Sequence, residues 1–558
     1  MDSNDNDWVT PSSIRNYILD DTLCDWLETK KDEFRPEVNP AIEKIMHEGI
    51  QYEEQVLTFL KEKYGTENVK TVAKNSADLY NTLKYEQTLS YMKEKVPIIY
   101  QGVLVHFGKK IGGICDLLVL STFFNKIVGD NQGIAFINDK REHYVVIDIK
   151  CSRLSLTKDG IHLQNSRNYT FYKGQLYMYT EALKHMQNYD PIHAYILGNG
   201  WEFTRDGQKT IGNNALQRMA KIDFHYNDNF IISRVDEALA WVRRVRSYGD
   251  TWLIFPPSIP ELRPNMKVQS AKWQHVKKDI AEKQEDVTLL YQCGEKKRVL
   301  TDEQSIDSWK NVRSVNLNVK SRKIRKSIDR SVTVNCSENF VISPRRFSQI
   351  AKKQLVPHKN ELYVDYETFY HRDTHGDITS LDLGETVTYM IGCGFVRNNT
   401  WTFKTYILDS LLETCKENFF NLWLADIREK EDIQIYSWGP TEKNLFEKVT
   451  GNKDVFTECK YTDLLKVFRD ESVAVTGLHG YSLKNIAKAM HKGGCITTIW
   501  PENNEVKNGL DAMQEGKRLY LELSKEERYE KLQSVTKYNE VDCKVMWEIV
   551  SYFRENHF

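Results

Sequence analysis

One group of residues has types and a spacing that could support catalysis. It consists of Asp116, in the run GGICDLLVL, and Asp148 and Lys150, in the run VVIDIKCS. Both runs are rich in aliphatic and β-branched residues and predict strands, in which residues i and i+2 share a face. Asp148 and Lys150 therefore point the same way, and Asp116 can meet them from a neighbouring strand. Two carboxylates can ligate a divalent cation that polarises a phosphate and an attacking water, and a lysine can position or deprotonate that water. A salt-bridged sheet edge is the alternative interpretation.

A second group lies in the last third of the chain. The run LYVDYETF places Asp365 and Glu367 at i and i+2 of a predicted strand, so both carboxylates face the same side. The run KYNEVDCKVMWEIV places Tyr538 and Asp542 at i and i+4, on one face of a predicted helix.

Hydrophobic periodicity predicts the elements that must position these residues. Apolar residues recur at spacings of three and four from Ile42 to Tyr64, which predicts an amphipathic helix with Glu53 in its middle. The first half also predicts strands from Pro97 to Val105, from Ile114 to Leu120 and from Tyr144 to Ile149, and a helix from Tyr172 to Lys184. From Glu361 a second pattern begins, with strands ELYVDYETF, VTYMIGCGFV, TFKTYIL and IQIYSW, a helix near Leu411 to Arg428, and helices to the end. The fold class is therefore α/β.

The composition excludes several classes of protein. The chain has 558 residues, of which 41% are hydrophobic and 28% are charged, a balance typical of globular proteins with large cores and not of disordered chains. No uncharged apolar stretch is long enough to span a membrane, and the N-terminus MDSNDNDWVTPSS is acidic and polar, unlike a signal peptide. The ten cysteines form no C-x-x-C pair. We expect an intracellular protein of a reducing compartment, cytoplasm or nucleus, that is neither secreted nor membrane-bound.

Charge is segregated along the chain and suggests three segments. The run PPSIPELRP (256–264) marks a boundary, because proline stops both helices and sheets. We expect an N-terminal domain at 1–260, a basic and partly helical connector at 261–356, and a C-terminal domain at 357–558. Residues 266–355 hold 20 lysines and arginines against 10 acidic residues, although the whole chain has a net charge of −1. A polyanion such as nucleic acid is the expected partner of this segment, and a solvated linker is the alternative. The candidate nucleic-acid-binding residues are Lys320, Arg322, Lys323, Arg325 and Lys326.

In the first half, HEGIQYEEQV, QGVLVHFGKKIGGICDLL, IDIKCS and GQLYMY follow one another in an order that resembles the successive motifs of RecB-type PD-(D/E)XK nucleases. That group includes the nuclease module of AddB-like repair proteins and the CRISPR adaptation exonucleases. The resemblance implies a restriction-endonuclease-like core with Mg²⁺ or Mn²⁺ as cofactor. It also implies roles for individual residues: Asp116 and Asp148 as metal ligands, Lys150 serving the hydrolytic water, Glu53 (with His47 before it) completing the metal shell, and Gln175 and Tyr179 orienting the lysine and the DNA backbone. No iron–sulfur cluster is expected, because relatives with a cluster carry one early and three late cysteines, whereas after Cys24 this half offers only Cys115 and Cys151.

The second half resembles the DEDD group of RNase H-like 3′–5′ exonucleases, because an acid-x-acid pair on a first strand precedes a Tyr-x-x-x-Asp pair on a late helix. The resemblance implies that Asp365, Glu367 and Asp542 ligate metal ions and that Tyr538 orients the attacking water. The sequence departs from the pattern at the second motif, where IYSWGPTEKNLFEKV offers Glu442 in place of an aspartate as the remaining candidate metal ligand, and the next acid is Asp463. Glutamate here, followed by TDLLKVF, GYSLKNIAKAM and YNEVD, is similar to a subfamily that fuses a RecB-like nuclease to an RNase H-like domain, with copies in bacteria and large DNA viruses. The connector of such fusions is similar to DVTLLYQCGEKKRVL, and this resemblance implies a helical segment like a helix-hairpin-helix.

Together these resemblances imply a metal-dependent DNA nuclease, an exonuclease of repair, recombination or replication. Its partners would be single-stranded DNA or duplex ends, with RNA a further candidate substrate and a helicase or replication protein a further candidate partner. Two alternatives remain open at this stage. One is a protein that binds nucleic acid with one or both nuclease folds inactive. The other is a docking protein whose basic segment binds an acidic replication or recombination factor.

Overall fold

The computed structural model describes residues 7–37, 40–128, 137, 141–371, 378–379, 384–428, 431–450 and 460–558. The chain divides into two compact units. Unit 1 comprises residues 1–280 together with 372–383, and unit 2 comprises residues 281–371 together with 384–558. Unit 2 therefore begins inside the predicted connector.

Unit 1 is an α/β unit with a central mixed sheet. Its helices are α1 (Arg15–Ile18), α2 (Leu23–Thr29), α3 (Pro40–Tyr64), α4 (Thr82–Lys93), α5 (Ser121–Val128), α6 (Arg167–Gln187), α7 (Phe230–Tyr248) and α8 (Gln274–Lys283), the last of which runs into unit 2. Its strands are β1 (Val69–Thr71), β2 (Ile98–His106), β3 (Ile111–Leu120), β4 (Tyr144–Lys150), β5 (Leu154–Ser155), β6 (His193–Gly198), β7 (Trp201–Arg205), β8 (Gln208–Gly212) and β9 (Ala220–Asp223). Short 3-10 helices lie at Pro11–Ile14, Ser76–Tyr80, Gly249–Thr251 and Pro260–Leu262.

The central sheet of unit 1 has the order β1-β2-β3-β4-β6-β9. Strands β2, β3 and β4 form antiparallel neighbours, and β6 lies parallel to β4, so the chain must cross over between them, which it does through α6. The two predicted helices and three predicted strands of this half are present, each with ends within five residues of the expected ones. Both faces of β4 are buried, as its continuous apolar run YVVIDI predicts for a central strand.

Unit 2 contains a second mixed sheet, and four of the helices described in this unit follow that sheet in the sequence. Its helices are α9 (Glu295–Asp302), α10 (Arg322–Asn335), α11 (Gln349–Gln354), α12 (Glu413–Arg428), α13 (Thr441–Thr450), α14 (Leu464–Glu471), α15 (Leu483–Lys492), α16 (Gly509–Glu522) and α17 (Lys525–His557). Its strands are β10 (Ile342–Ser343), β11 (Asn360–His371), β12 (Glu385–Arg397), β13 (Thr400–Ile407), β14 (Ile433–Ser437), β15 (Lys460–Asp463) and β16 (Ala474–Val475). Short 3-10 helices lie at Val287–Leu289, Trp309–Asn311 and Ser314–Leu317.

Strand β11 lies at the centre of the larger sheet, whose order is β13-β12-β11-β14-β15. It pairs with β12 in antiparallel and with β14 in parallel orientation. The register with β12 shifts between Glu367 and Thr368, because β12 has one extra residue there, Tyr389, and this bulge lies opposite the end of the acid pair. Helix α17 begins with a capping box between Ser524 and Glu527 and packs on β11 and β12, so it brings its buried face to the acid pair.

The first part of unit 2 is a folded helical module with a small core of its own. Its buried apolar side chains are Val287, Leu290, Cys293, Trp309, Val312, Leu317, Ile328 and Val332. Helix α10 contributes the last two and exposes its cationic residues on the other side. Of the helices in the described ranges, none combines the length and the apolar character that a membrane span requires.

Candidate active sites

The structure brings Asp116, Asp148 and Lys150 together at the centre of unit 1. The ammonium of Lys150 forms an ion pair of 2.6 Å with the carboxylate of Asp148, and the Asp148 side chain is 2% exposed. The Asp116 carboxylate accepts a 2.7 Å hydrogen bond from the backbone N–H of Ile149, which lies between these two residues on β4. The i and i+2 spacing on one strand and the antiparallel pairing with the next strand produce this arrangement, as the sequence predicts.

The three groups act strongly on one another. Burial, and then the neighbouring charge of Asp148, raise the pKa of Asp116 well above its usual range. Burial alone would lower the pKa of Lys150, but the charges of Asp148 and Asp116 outweigh it and the pKa rises. The Lys150 ammonium therefore lies beside both carboxyl groups, in a position where it can bind and orient a water or a phosphate.

Gln175 and Tyr179 stand on α6 beside the same strands. The Tyr179 hydroxyl donates a 2.8 Å hydrogen bond to the carbonyl of Ile114, and the Gln175 amide lies 3.5 Å from that hydroxyl. The glycine at 113 is required for this contact, because a Cβ there would lie 2.7 Å from the Tyr179 ring. Tyr179 thus packs against the strand that carries Asp116, and the buried Oε1 of Gln175 has no hydrogen-bond partner among the described residues.

Glu53 faces this cluster from α3 and is held by two residues that the sequence analysis did not select. The Tyr100 hydroxyl donates a 2.8 Å hydrogen bond to the Glu53 carboxylate, and the Gln101 amide donates a second one. Gln101 has a φ of 54°, in the left-handed region, and it interrupts the pairing of β2 with β3 opposite Asp116. Within the described ranges Glu53 does not join a three-carboxylate group with Asp116 and Asp148. His47 is exposed and contacts only Gln51 among the partners that the structure shows, so it lies outside the cluster.

In unit 2 the side chains of Asp365, Glu367 and Asp542 converge. One carboxylate oxygen from each lies within 4.8 Å of the others, and it is the one such group of metal-ligand side chains in the described parts of the chain. The buried amide of Asn539 donates to Asp365 at 2.8 Å and to Glu367 at 3.1 Å, which fixes both carboxylates. Gly392 lies opposite Asp365 on β12 and makes room for Asn539, since a Cβ there would lie 1.6 Å from its amide oxygen.

The electrostatics of this cluster fit a divalent cation. Burial, followed by the charge of Asp542, raises the pKa of Glu367 to about 8 and that of Asp365 well above its usual range. Burial also raises the pKa of Asp542 to about 7, against the opposing effects of the Lys484 charge and the Tyr538 hydrogen bond. Two buried carboxylates and a partly buried one that repel one another in this way are the oxygen donors that Mg²⁺ or Mn²⁺ would bind.

The remaining residues predicted for this site lie near the cluster. The Tyr538 hydroxyl hydrogen-bonds to Asp542, and burial and then the Asp542 charge raise its pKa. Glu442 opens α13 and is 8% exposed, and burial raises its pKa to about 7. Its charge acts on Asp365 and Glu367, but its oxygens are not part of the group within 4.8 Å. Asp463 caps α14 through the backbone N–H of Lys466, so its carboxylate has a structural partner.

The basic residues of α10 form a separate feature of unit 2. Arg322, Arg325 and Lys326 line an open cavity of about 550 Å³ together with Arg330, whose guanidinium donates to the carbonyl of Glu471. Lys320 is exposed just before the helix. Lys323 points elsewhere, into a 2.6 Å ion pair with Asp470. The five predicted residues thus do not form a single surface of free charges.

The sheet of unit 2, with paired carboxylates on its central strand and a third on a late helix, defines a candidate hydrolytic metal site on an α/β scaffold. Residues 377–554 match the family model of the RNase H superfamily, so the C-terminal part of the chain contains an RNase H superfamily domain. The match contains Glu442, Tyr538 and Asp542 but begins after Asp365 and Glu367, which the structure adds to the site. A domain of this superfamily suggests a nuclease-type function that uses divalent metals. No curated protein and no solved structure matches the chain.

Proposed function

We propose that the protein is a metal-dependent nuclease that hydrolyses phosphodiester bonds of DNA from an end. The convergence of Asp365, Glu367 and Asp542 within 4.8 Å in an RNase H superfamily domain carries this proposal. A role in DNA repair, recombination or replication fits an enzyme that removes nucleotides from DNA ends.

The residues of unit 2 have distinct roles in the proposed reaction. A bound Mg²⁺ or Mn²⁺ would polarise the phosphate and lower the pKa of a water molecule. Asp365, Glu367 and Asp542 would hold the metal. Glu442, whose carboxylate lies beside them, would be a further metal ligand. Asn539 keeps two of the carboxylates in place, and the Tyr538 hydroxyl orients the attacking water from its position on Asp542.

Unit 1 is proposed to be a second nuclease domain, of the RecB-type PD-(D/E)XK group. The meeting of Asp116, Asp148 and Lys150 supports this assignment, because their convergence is what that chemistry needs. Glu53 would complete the ligand set from α3, and Gln175 and Tyr179 would orient the lysine and the DNA backbone. Mg²⁺ or Mn²⁺ suits the oxygen donors of this site as well.

The experiment is a digest of end-labelled single- and double-stranded DNA, with RNA as a further substrate, in Mg²⁺, Mn²⁺ or EDTA. The wild type is compared with Lys150→Ala, which affects the first site, and with Asp365→Asn, which affects the second. The double variant Lys150→Ala/Asp365→Asn should lose all digestion, and each single variant should lose the part that its site performs. Labels at the 5′ and 3′ ends separate the polarities.

A matched control exists on α3, where the exposed Glu54 follows Glu53 directly. Glu53→Gln should reduce digestion and Glu54→Gln should not, because only the first carboxylate faces the cluster. Metal-dependent digestion that persists undiminished in the double variant would refute the proposal.

Nucleic-acid binding without cleavage is a second candidate, favoured by the cavity lined by Arg322, Arg325 and Lys326. Under this candidate the wild type binds DNA with an affinity that falls steeply with salt, but EDTA removes no activity because none is present. The same end-labelled DNA in a gel-shift assay distinguishes the two candidates.

A further inference from the structure

A lysine outside the sequence motifs described above lies beside the carboxylates of unit 2. Lys484 is the second residue of α15 and is partly buried. Its ammonium lies 5.2 Å from the ring centroid of Tyr538 and 5.2 Å from that of Trp500. Its charge acts on the Asp542 carboxylate, which places a cation at the edge of the candidate metal site.

Lys484 does not form an ion pair among the residues that the structure describes. In the part of the chain that the structure describes, no carboxylate oxygen lies within 4.0 Å of its ammonium. The faces of two aromatic rings attract the ammonium without supplying hydrogen-bond acceptors, so its three N–H donors stay available for a ligand. Helix α15 is anchored by Ile486, Ala487 and Met490, which are almost fully buried, and this fixes where the lysine emerges.

We propose that Lys484 is a catalytic residue of the second site and binds a non-bridging oxygen of the scissile phosphate. This inference rests on the proposed nuclease function. During hydrolysis the oxygen of water forms a bond to phosphorus and the bond from phosphorus to the leaving sugar oxygen breaks. Water gives up one proton and the leaving oxygen gains one, while Lys484 keeps its own proton and neutralises the charge that grows on the phosphate. A preorganised cation at such a position is worth on the order of 100-fold in turnover.

The test uses the full chain with Lys150→Ala as the parent, so that unit 2 performs the digestion. Lys484→Met is added to it, along with Lys484→Arg and, as matched control, Lys492→Met, an exposed lysine two turns further along the same helix. The measurements are kcat and KM on end-labelled DNA, and the affinity for Mn²⁺ alone by titration calorimetry. We expect kcat to fall on the order of 100-fold in Lys484→Met, to recover partly in Lys484→Arg, and to stay unchanged in Lys492→Met.

The Mn²⁺ titration separates a catalytic from a merely structural lysine. Removing a positive charge next to the carboxylates should leave the Mn²⁺ affinity unchanged or increase it, because like charges repel. A fall of Mn²⁺ affinity in parallel with kcat would overturn the inference and make Lys484 a positioning residue of Asp542. An unchanged kcat would also overturn it. If Asp542→Asn in the same parent leaves digestion intact, or the parent digests nothing, the proposed function of unit 2 fails and the inference fails with it.

Discussion

From the carboxylate cluster of unit 2 we predict how the stability of the folded protein depends on pH and on bound metal. The pKa of Glu367 rises from 4.5 in an unperturbed chain to about 8 in the folded protein. Below a pH of about 4.5 the Glu367 carboxyl group is neutral in both the folded and the unfolded protein, so its ionisation does not reduce the free energy of unfolding. Between these values the unfolded chain ionises and the folded chain does not, so the unfolding free energy falls as pH rises. Above the pKa of the folded protein, Glu367 is ionised in both the folded and the unfolded protein, and the unfolding free energy decreases no further.

The size of the effect follows from these shifts in pKa. At about 1.4 kcal/mol for each tenfold change in proton affinity, the raised pKa values of these mutually repelling carboxylates correspond to a loss on the order of a few kcal/mol for the cluster as a whole. For a domain of this size that loss lowers Tm by on the order of 10 °C. The variant Glu367→Gln keeps the shape and the hydrogen bond from Asn539 but cannot ionise, so it should lose less stability over the same range, and the loss that remains should come from Asp365 and Asp542.

The assay is scanning calorimetry of the full chain in EDTA, from a pH of about 5 to a pH of about 9, across the window set by the two pKa values. The control is Glu526→Gln, an exposed glutamate of the same unit. Mn²⁺ should restore Tm in the wild type, most strongly at high pH, because metal binding requires the ionised carboxylates. An identical pH dependence in the wild type and in Glu367→Gln, both in EDTA, would refute the reasoning.

Three further predictions concern packing, charge pairing and DNA binding. Gly392→Ala should cost about 1–3 kcal/mol of stability, because the new methyl group must displace Asn539, and denaturant unfolding measures the loss. Lys173→Met should cost about 3–5 kcal/mol by the same measurement, since it leaves a buried aspartate without its 2.6 Å partner; a loss below that of an exposed lysine change would contradict this. Arg325→Ala combined with Lys326→Ala should flatten the slope of log affinity for DNA against log salt by about 1.5, as seen in fluorescence anisotropy; an unchanged slope would remove α10 from the binding surface.

Much of the placement of both carboxylate clusters was predictable because strand and helix periodicity are local properties. The i and i+2 spacing of Asp148 and Lys150, and of Asp365 and Glu367, fixes a common face whatever the rest of the chain does. The strands themselves are apolar runs that the sequence marks clearly. The meeting of separate elements, such as β11 with Asp542 on α17, was accessible only through the resemblance to known nucleases.

Other parts of the sites depend on contacts that no local pattern encodes. The amide of Asn539 serves two carboxylates more than 170 positions earlier, and the sequence signals it only by its place beside Tyr538. Lys484 belongs to an amphipathic helix, where a lysine usually means a solvated face. The left-handed backbone conformation of Gln101 accompanies an interruption in the pairing of β2 with β3. A residue type other than glycine does not indicate such a conformation in the sequence. Lys323 pairs with a partner on α14, a distant element that a run of basic residues does not reveal.

The bulge beside Glu367 has a consequence for where homologous sequences can tolerate insertions and deletions. The extra residue of this bulge, Tyr389, lies on β12, so a one-residue insertion in β11 just beyond Glu367, or the loss of the extra residue from β12, can be accommodated by erasing the irregularity. Between Asp365 and Glu367 the same change would turn one carboxylate to the opposite face of the sheet. Gaps in an alignment of homologous chains should therefore gather on the far side of the acid pair and spare the three residues that contain it.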